Sequence, residues 1–276
     1  MSLSLSRQLH ALTARIQRLP IGVGRRERLC IYIGENWAAA CASAGPLQRV
    51  VRMKAVISAA SQHHDATDIG PILAEIEAWL RMHHIRATIN WFMSIAHVRY
   101  LLLPWDDRLA SDSFCETLAA AMFAQQFPGD TRNFAAYQLR LGPIAYGQPR
   151  MAALVPHAIV SLITVSTRRC HCRIGRIVPM LSVVWNRYVE QFNAETGVLA
   201  LIEGERLLRV DYDRGRIASL AIEPYSPDRT RAARLDGFRV FPAADTNAPA
   251  NARLTLPDLA PDDDPRLAYA LCGQCR

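Results

Sequence analysis

Two stretches of this chain, far apart in sequence, repeat one pattern: three short apolar strands in succession, joined by tight turns. Residues 28–33, 37–42 and 48–58 make the first set, with Gly34-Glu35-Asn36 as its first turn. Residues 197–202, 207–212 and 217–222 make the second, with Glu203-Gly204-Glu205 and Asp213-Arg214-Gly215 as turns. Short apolar or alternating runs bounded by glycine, asparagine and aspartate read as hairpins, because these residues take the backbone angles that a reversal requires.

Between the two sets, helices alternate with strands. Pro71 suits a first helical turn, and Ile72, Ile76, Trp79, Leu80 and His83 recur at helical spacing behind it. This places His83 toward the core. Strands are expected over 85–96 and 97–103, the latter stopped by Pro104. Ser113 and Glu116 form a capping-box pattern before a helix that carries Phe114, Leu118, Met122 and Phe123. Strands over 135–141 and 150–155 precede a helix opened by Pro156, and 170–177 reads as a short strand. Pro179 then starts the clearest helix, with Leu181, Val184, Trp185, Tyr188 and Phe192 on one face. After Pro224 the apolar periodicity is lost and proline, arginine and aspartate dominate. Residues 226–276 are therefore expected to be mostly irregular or disordered, with one short strand at 238–241.

Half of the 276 residues are hydrophobic, enough for a large core, yet no apolar run approaches the ~18–20 residues of a membrane span. The net charge is +7 and almost all of it is arginine; Lys54 is the only lysine. With abundant alanine, that bias fits a GC-rich bacterial genome. Acidic residues interrupt most basic clusters and no aromatic ladder accompanies them, so nucleic acid is not the expected partner. Seven scattered cysteines do not look like a disulfide framework, and no secretory signal is visible, so a reducing cytoplasmic compartment is expected. Residues 1–27 form a basic amphipathic segment: Leu3, Leu5, Leu9, Leu12 and Ile16 roughly share a helical face, and no acid appears before Glu27.

The segment 98–105, a strand ending in Leu103-Pro104-Trp105, leads into an amphipathic helix. Residues 137–141 and 150–155 follow, then Ile177-Val178-Pro179 opening the helix with Trp185. This order resembles the actin-like cytoplasmic components of bacterial pilus and secretion platforms: PilM of type IV pili, the cytoplasmic part of GspL in type II secretion, and MshI-like proteins. The resemblance covers about residues 28–224. It implies a degenerate actin-like (ASKHA) α/β fold, with a first lobe over 28–195, the β-meander of a truncated second lobe over 196–225, and the tail 226–276. It also implies a non-enzymatic scaffold beneath the inner membrane. Its partner would be a membrane-protein tail or a motor ATPase, and its own membrane association would be indirect.

PilM-like proteins also bind ATP, and an actin-like site needs a phosphate-binding turn in each lobe, usually an aspartate followed by glycines. Here the candidate positions are Gly34, Glu203 and Gly204, and no aspartate leads into the first turn. The bland reading of Glu203 is a solvated hairpin turn. A second class of function, zinc or nucleic-acid binding, would rest on Cys170-His171-Cys172 and on Cys272 with Cys275, which together could close a Cys₄ site. Buried structural cysteines are the alternative. His63-His64, His83-His84 and Asp106-Asp107 carry no recognisable catalytic spacing, and no HExxH, GxSxG or P-loop occurs. Neither ATP with Mg²⁺ nor Zn²⁺ is the expected cofactor.

Overall fold

The computed structural model describes residues 28–45, 50–59, 68–225, 238–242 and 252–274. The basic segment 1–27, His63, His64 and Cys275 lie outside them. The first lobe is built on a five-stranded sheet. Strands β1 (Arg28–Ile33), β2 (Trp37–Ala44) and β3 (Val50–Ser58) form the antiparallel meander. Helix α1 (Gly70–Met82) then leads to β4 (Thr88–Met93), parallel to β1. Every residue of β1 after Arg28 is buried, on both faces. That explains why its sequence, Leu-Cys-Ile-Tyr-Ile, does not alternate: a strand covered on both sides has no polar side to show.

An insertion follows. Strand β5 (Arg99–Leu103), helix α2 (Asp112–Gln126), β6 (Tyr137–Leu141) and β7 (Arg150–Pro156) make a three-stranded sheet ordered β5-β7-β6. It has its own small core of Leu101, Leu103, Leu109, Cys115, Phe123, Tyr137 and Leu154. The range 28–195 thus contains a separate layer over 99–156. The cap of α2 is Ser111, whose hydroxyl accepts from the Phe114 amide at 3.4 Å. Ser113 was expected there, but it lies inside the helix and bonds Ser111 instead.

Helix α3 (His157–Arg169) returns to the first lobe and β8 (Arg173–Pro179) completes its sheet, in the order β3-β2-β1-β4-β8. Cys170 and Cys172 do not start a strand as expected: Cys170 caps α3, and the chain reverses through His171 at φ 55° before β8 begins. His83 likewise caps the end of α1 as an exposed residue, its ring 5.4 Å from Trp79, rather than facing the core.

After α4 (Met180–Ala194), the second lobe repeats the first. Strands β9 (Thr196–Glu203), β10 (Arg206–Asp213) and β11 (Arg216–Pro224) form a meander, and β12 (Phe238–Phe241) lies parallel to β9. The order β11-β10-β9-β12 is that of β3-β2-β1-β4, with no fifth strand among the described residues.

The expectation of an irregular tail fails over 252–274. Ala252, Leu254, Leu256 and all of α5 (Leu267–Cys272) are buried. Helix α5 crosses back onto β1 and β2, while α4, which ends the first lobe, reaches β9 and β10. Helix α4 also packs on β4 and β8 of its own sheet, so it lies between the lobes, and one continuous core joins Tyr32, Phe92, Phe192, Tyr212, Phe241 and Tyr269. Each such buried aromatic is worth ~2–3 kcal/mol of apolar transfer. The tail was misread because its apolar residues are short runs between prolines and aspartates, with no full helical period to betray them.

Candidate functional site

The two turns that the sequence singles out face each other between the lobes. Glu35, in the β1–β2 turn, pairs with Arg206 at the start of β10, 3.1 Å apart. Both are about two-fifths exposed, so the pair fixes register more than it stabilises. Below it, the His97 Nε2–H donates to the Gly34 carbonyl at 2.8 Å. Burial holds the His97 pKa below its ordinary value, which keeps the ring neutral and leaves one nitrogen protonated for that bond.

Glu203 is not a solvated turn residue. It ends β9 fully inside the protein and reaches the loop that follows β4. Its Oε2 accepts from Ser94 Oγ at 2.5 Å and from the Ile95 amide at 2.7 Å. Its Oε1 and the hydroxyls of Tyr32 and Tyr100 make no hydrogen bond of ordinary geometry. Burial in this apolar pocket raises the Glu203 carboxyl to about 7, against the pull of Ser94, the Ile95 amide and the neighbouring Tyr32 hydroxyl. Both tyrosines are pushed up by burial and, secondarily, by the Glu203 charge. Burial thus favours the protonated acid well above the usual carboxylate range, and Glu203 serves as a polar latch between β9 and β4.

The remaining space between the meanders is filled by the chain itself. Tyr269 of α5 stacks on Tyr32 with ring centroids 4.4 Å apart and lies 5.5 Å from Trp37. Its hydroxyl donates to the Ile202 carbonyl, and Phe241 meets the same ring edge-on. Gly273 sits flat on the Phe92 ring; a Cβ there would come within 2.0 Å of it. The Gln274 amide donates to the Cys41 carbonyl at 2.9 Å and its oxygen accepts from Ser43 Oγ at 2.5 Å. Arg187 of α4 clamps this segment through the carbonyls of Cys272 and Gln274, at 3.2 and 2.9 Å.

Each candidate position can now be placed. Gly34 lies under the Trp37 indole, which would stand 3.1–3.2 Å from any Cβ, so its backbone is not open to a phosphate. Gly204 takes φ +60° in an open turn, a conformation that favours glycine, and serves the hairpin. Glu203 faces Ser94 rather than a cation. A nucleotide phosphate placed between these turns would meet the Glu203 carboxyl and the rings of Tyr32, Trp37 and Tyr269, while the nearby Arg206 is already paired with Glu35.

Cys170 and Cys172 belong with α3 and the end of α1: Cys170 feels Glu77 and Arg81, and Cys172 Sγ donates to the Ile85 carbonyl at 3.5 Å. Burial raises both thiols, away from the thiolate a metal requires. Cys272 lies with α4 and α5, on the side of the sheet that Tyr32 and Phe92 face. The structure does not bring the described members of that Cys₄ set together. Among the described residues, no group of three or more His, Cys, Asp or Glu side chains could hold a metal. Asp106 caps a short 3₁₀ turn and bonds Arg108 in bidentate fashion, which holds its carboxyl down to about 2. No described helix is long and apolar enough to cross a membrane.

Sequence reasoning missed Ser94, His97, Tyr269 and Gln274. No signal marks the last two except the apolar run of α5 itself, and Ser94 and His97 sit where two expected strands were thought to meet.

The sequence matches no protein-family model and no curated protein sequence. Solved structures share its fold. The PilM–PilN type IV pilus biogenesis complex superposes with a TM-score of 0.53 at 13% identity, over 75% of this chain and 64% of that one. This chain thus spans just under two thirds of that protein. The cytoplasmic domain of EpsL, an inner-membrane component of the type II secretion system of Vibrio cholerae, gives 0.48 at 10% identity, covering 75% and 74%. A Bacteroides thetaiotaomicron protein with an actin-like ATPase fold and unknown function gives 0.48 at 7%, covering 76% and 75%. With its duplicated meander, the parallel fourth strand in each lobe and α5 returned to the first sheet, the chain has the actin-like fold, its second lobe showing four strands among the described residues.

Proposed function

We propose that this chain is a non-enzymatic adaptor of a bacterial pilus or secretion assembly platform, working on the cytoplasmic side of the inner membrane. It would hold the cytoplasmic tail of a membrane protein, or the motor ATPase of the machine. The observation that supports a binding role over catalysis is the closed cleft. The place where an actin-like ATPase holds its nucleotide is here occupied by Glu203, Trp37 and Tyr269. The fold it shares with PilM, captured in that structure with PilN, supports the choice of machine. For a partner's extended tail, the edge strands β6 and β8 each keep one side unpaired by any described strand. Next to β8 runs a groove of about 570 Å³, lined by Val178, Val183, Val189, Pro257 and Arg187.

Two measurements test this reading. In thermal unfolding with about 1 mM Mg-ATP, a site with a Kd near 10 µM would stabilise by ~2.7 kcal/mol. No shift is expected, and a clear one would reopen the ATPase reading. Tagged protein cross-linked in its own host and purified in mild detergent should retain an inner-membrane assembly protein or a motor ATPase. Recovery of soluble metabolic enzymes alone would remove the platform role.

A further inference from the structure

Strand β8 of the first sheet pairs with β4 on one side and with no described strand on the other. From Arg173 to Arg176 every residue is exposed, whereas β4 beside it is mostly buried. The backbone of this stretch is partly unspent. The Arg173 amide donates to the Ala87 carbonyl at 3.0 Å, so Arg173 turns its polar groups to β4. Alternate residues of a parallel ladder face opposite neighbours, so the N–H and C=O of Ile174 point outward. The Ile174 side chain is itself 37% exposed. Gly175 makes room for the register shift that follows, since a Cβ there would stand 2.4 Å from Asn90 Oδ1.

The groove of about 570 Å³ lies beside this edge. Arg176 and Val178 reach it from β8, at alternate positions, and Val183, Arg187 and Glu190 reach it from α4. A strand laid along β8 would drop every second side chain toward the groove, because successive side chains of a strand point to opposite faces. Residues 173–178 offer it a run of about 20 Å. The charge along this path is positive. Arg173 and Arg176 stand on the strand and Arg187 on the helix, against Glu190 as the one carboxylate among the described lining residues.

On the reading of the chain as a binding protein, we propose that β8 takes up an extended acidic segment of another protein as a further strand of this sheet, with alternate side chains seated in the groove beside α4. Strand β8, not β6, is then the edge that holds the partner's tail. A second copy of this chain is a poor occupant, because antiparallel self-pairing would bring Arg173 and Arg176 against the same two residues. Carboxylates on an incoming strand would instead answer these arginines, and its apolar side chains would meet Val178, Val183 and Pro257. Main-chain bonds to Ile174 supply affinity, while the groove and its charge supply selectivity.

The probe is a phage-displayed library of random peptides of about eight residues, selected on the immobilised full chain. Enriched sequences are expected to carry acidic residues between apolar ones. The best of them, made synthetically and labelled, should bind Ile174→Pro about tenfold more weakly, since an outward main-chain bond is lost. Proline is tolerated on an edge strand where the N–H faces solvent, and an unchanged melting temperature would certify the fold. Arg173→Glu should weaken binding about fivefold, and the same peptide with lysine in place of its acids should prefer Arg173→Glu to wild type. A neutral or basic consensus, no enrichment, or equal affinity for Ile174→Pro would overturn the proposal. So would concentration-dependent dimers of the wild type that Ile174→Pro abolishes, which would make a second copy the occupant. No host protein takes part, so failure here leaves the platform role to its own cross-linking test, and loss of the platform role leaves this edge standing.

Discussion

Replacing Glu203 by glutamine should make the protein more stable above neutral pH and remove most of its pH dependence from this site. In the folded state, burial raises the Glu203 carboxyl from an ordinary 4.5 to about 7. The folded protein therefore binds more protons than the unfolded chain between those values. Stability contributed by the neutral acid is complete below about pH 4.5 and falls as pH rises, until it is lost above about pH 7. At about 1.4 kcal/mol per pH unit, the whole excursion is about 3 kcal/mol, an order-of-magnitude figure for a fully buried group. Glutamine keeps an oxygen for Ser94 Oγ and the Ile95 amide. Its amide nitrogen gains an acceptor in the Tyr32 hydroxyl. Urea unfolding of wild type and Glu203→Gln, measured from about pH 4 to about pH 8.5, should give curves that approach each other at the acid end, diverge between about pH 4.5 and pH 7, and keep a constant gap above that. For a chain of this size, 3 kcal/mol is roughly 6–12 °C of melting temperature at the alkaline end. Parallel curves, or a variant less stable at every pH, would show that the carboxyl is not held neutral and that the latch reasoning is wrong.

Tyr269→Ala removes the Tyr32 stack and the bond to Ile202, and should cost ~3–5 kcal/mol, read from denaturant midpoints. Its near-ultraviolet dichroism should also change, as Tyr32 and Trp37 lose their neighbour. Gly273→Ala places a methyl in the Phe92 ring and should cost ~1–3 kcal/mol, with wild-type behaviour partly restored by Phe92→Leu. Arg187→Ala leaves the carbonyls of Cys272 and Gln274 without their donor, which should cost ~1.5–3 kcal/mol. Hydrogen exchange over 267–274 should then quicken while the insertion around α2 stays protected. Adding Zn²⁺ should leave the melting temperature unchanged; a rise of several degrees would show that a metal site exists after all.

The strands were largely legible because their turns were. Gly34-Glu35-Asn36 and Asp213-Arg214-Gly215 mark reversals by backbone preference alone, and local preference needs no knowledge of the partner. Glu203 was misjudged for the opposite reason. A glutamate before Gly204 reads as a solvated turn, and only the fold brings Ser94, more than a hundred residues away, to bury it. The same holds for Gln274, whose partners Ser43 and Cys41 lie over two hundred residues earlier. The run 267–272 was visible as apolar residues, but too short for a periodicity to emerge. The strand expected from Cys170 starts only at Arg173, because Cys170 closes the preceding helix instead.

The return of α5 to the first sheet orders the steps of biosynthesis. When the ribosome has finished β8, the first lobe has all five strands of its sheet but lacks α5, which covers the face bearing Tyr32, Trp37 and Phe92. That face stays open to water until residue 274 has been made and has returned to Cys41. The nascent chain therefore carries a sticky aromatic surface until those residues have emerged. The second lobe already has Glu203 and Arg206 to tie it to the first, but its contact through Tyr269 waits for the same segment. A chain so arranged closes its core in one step rather than lobe by lobe, and its yield should depend on the chaperones that shield it meanwhile.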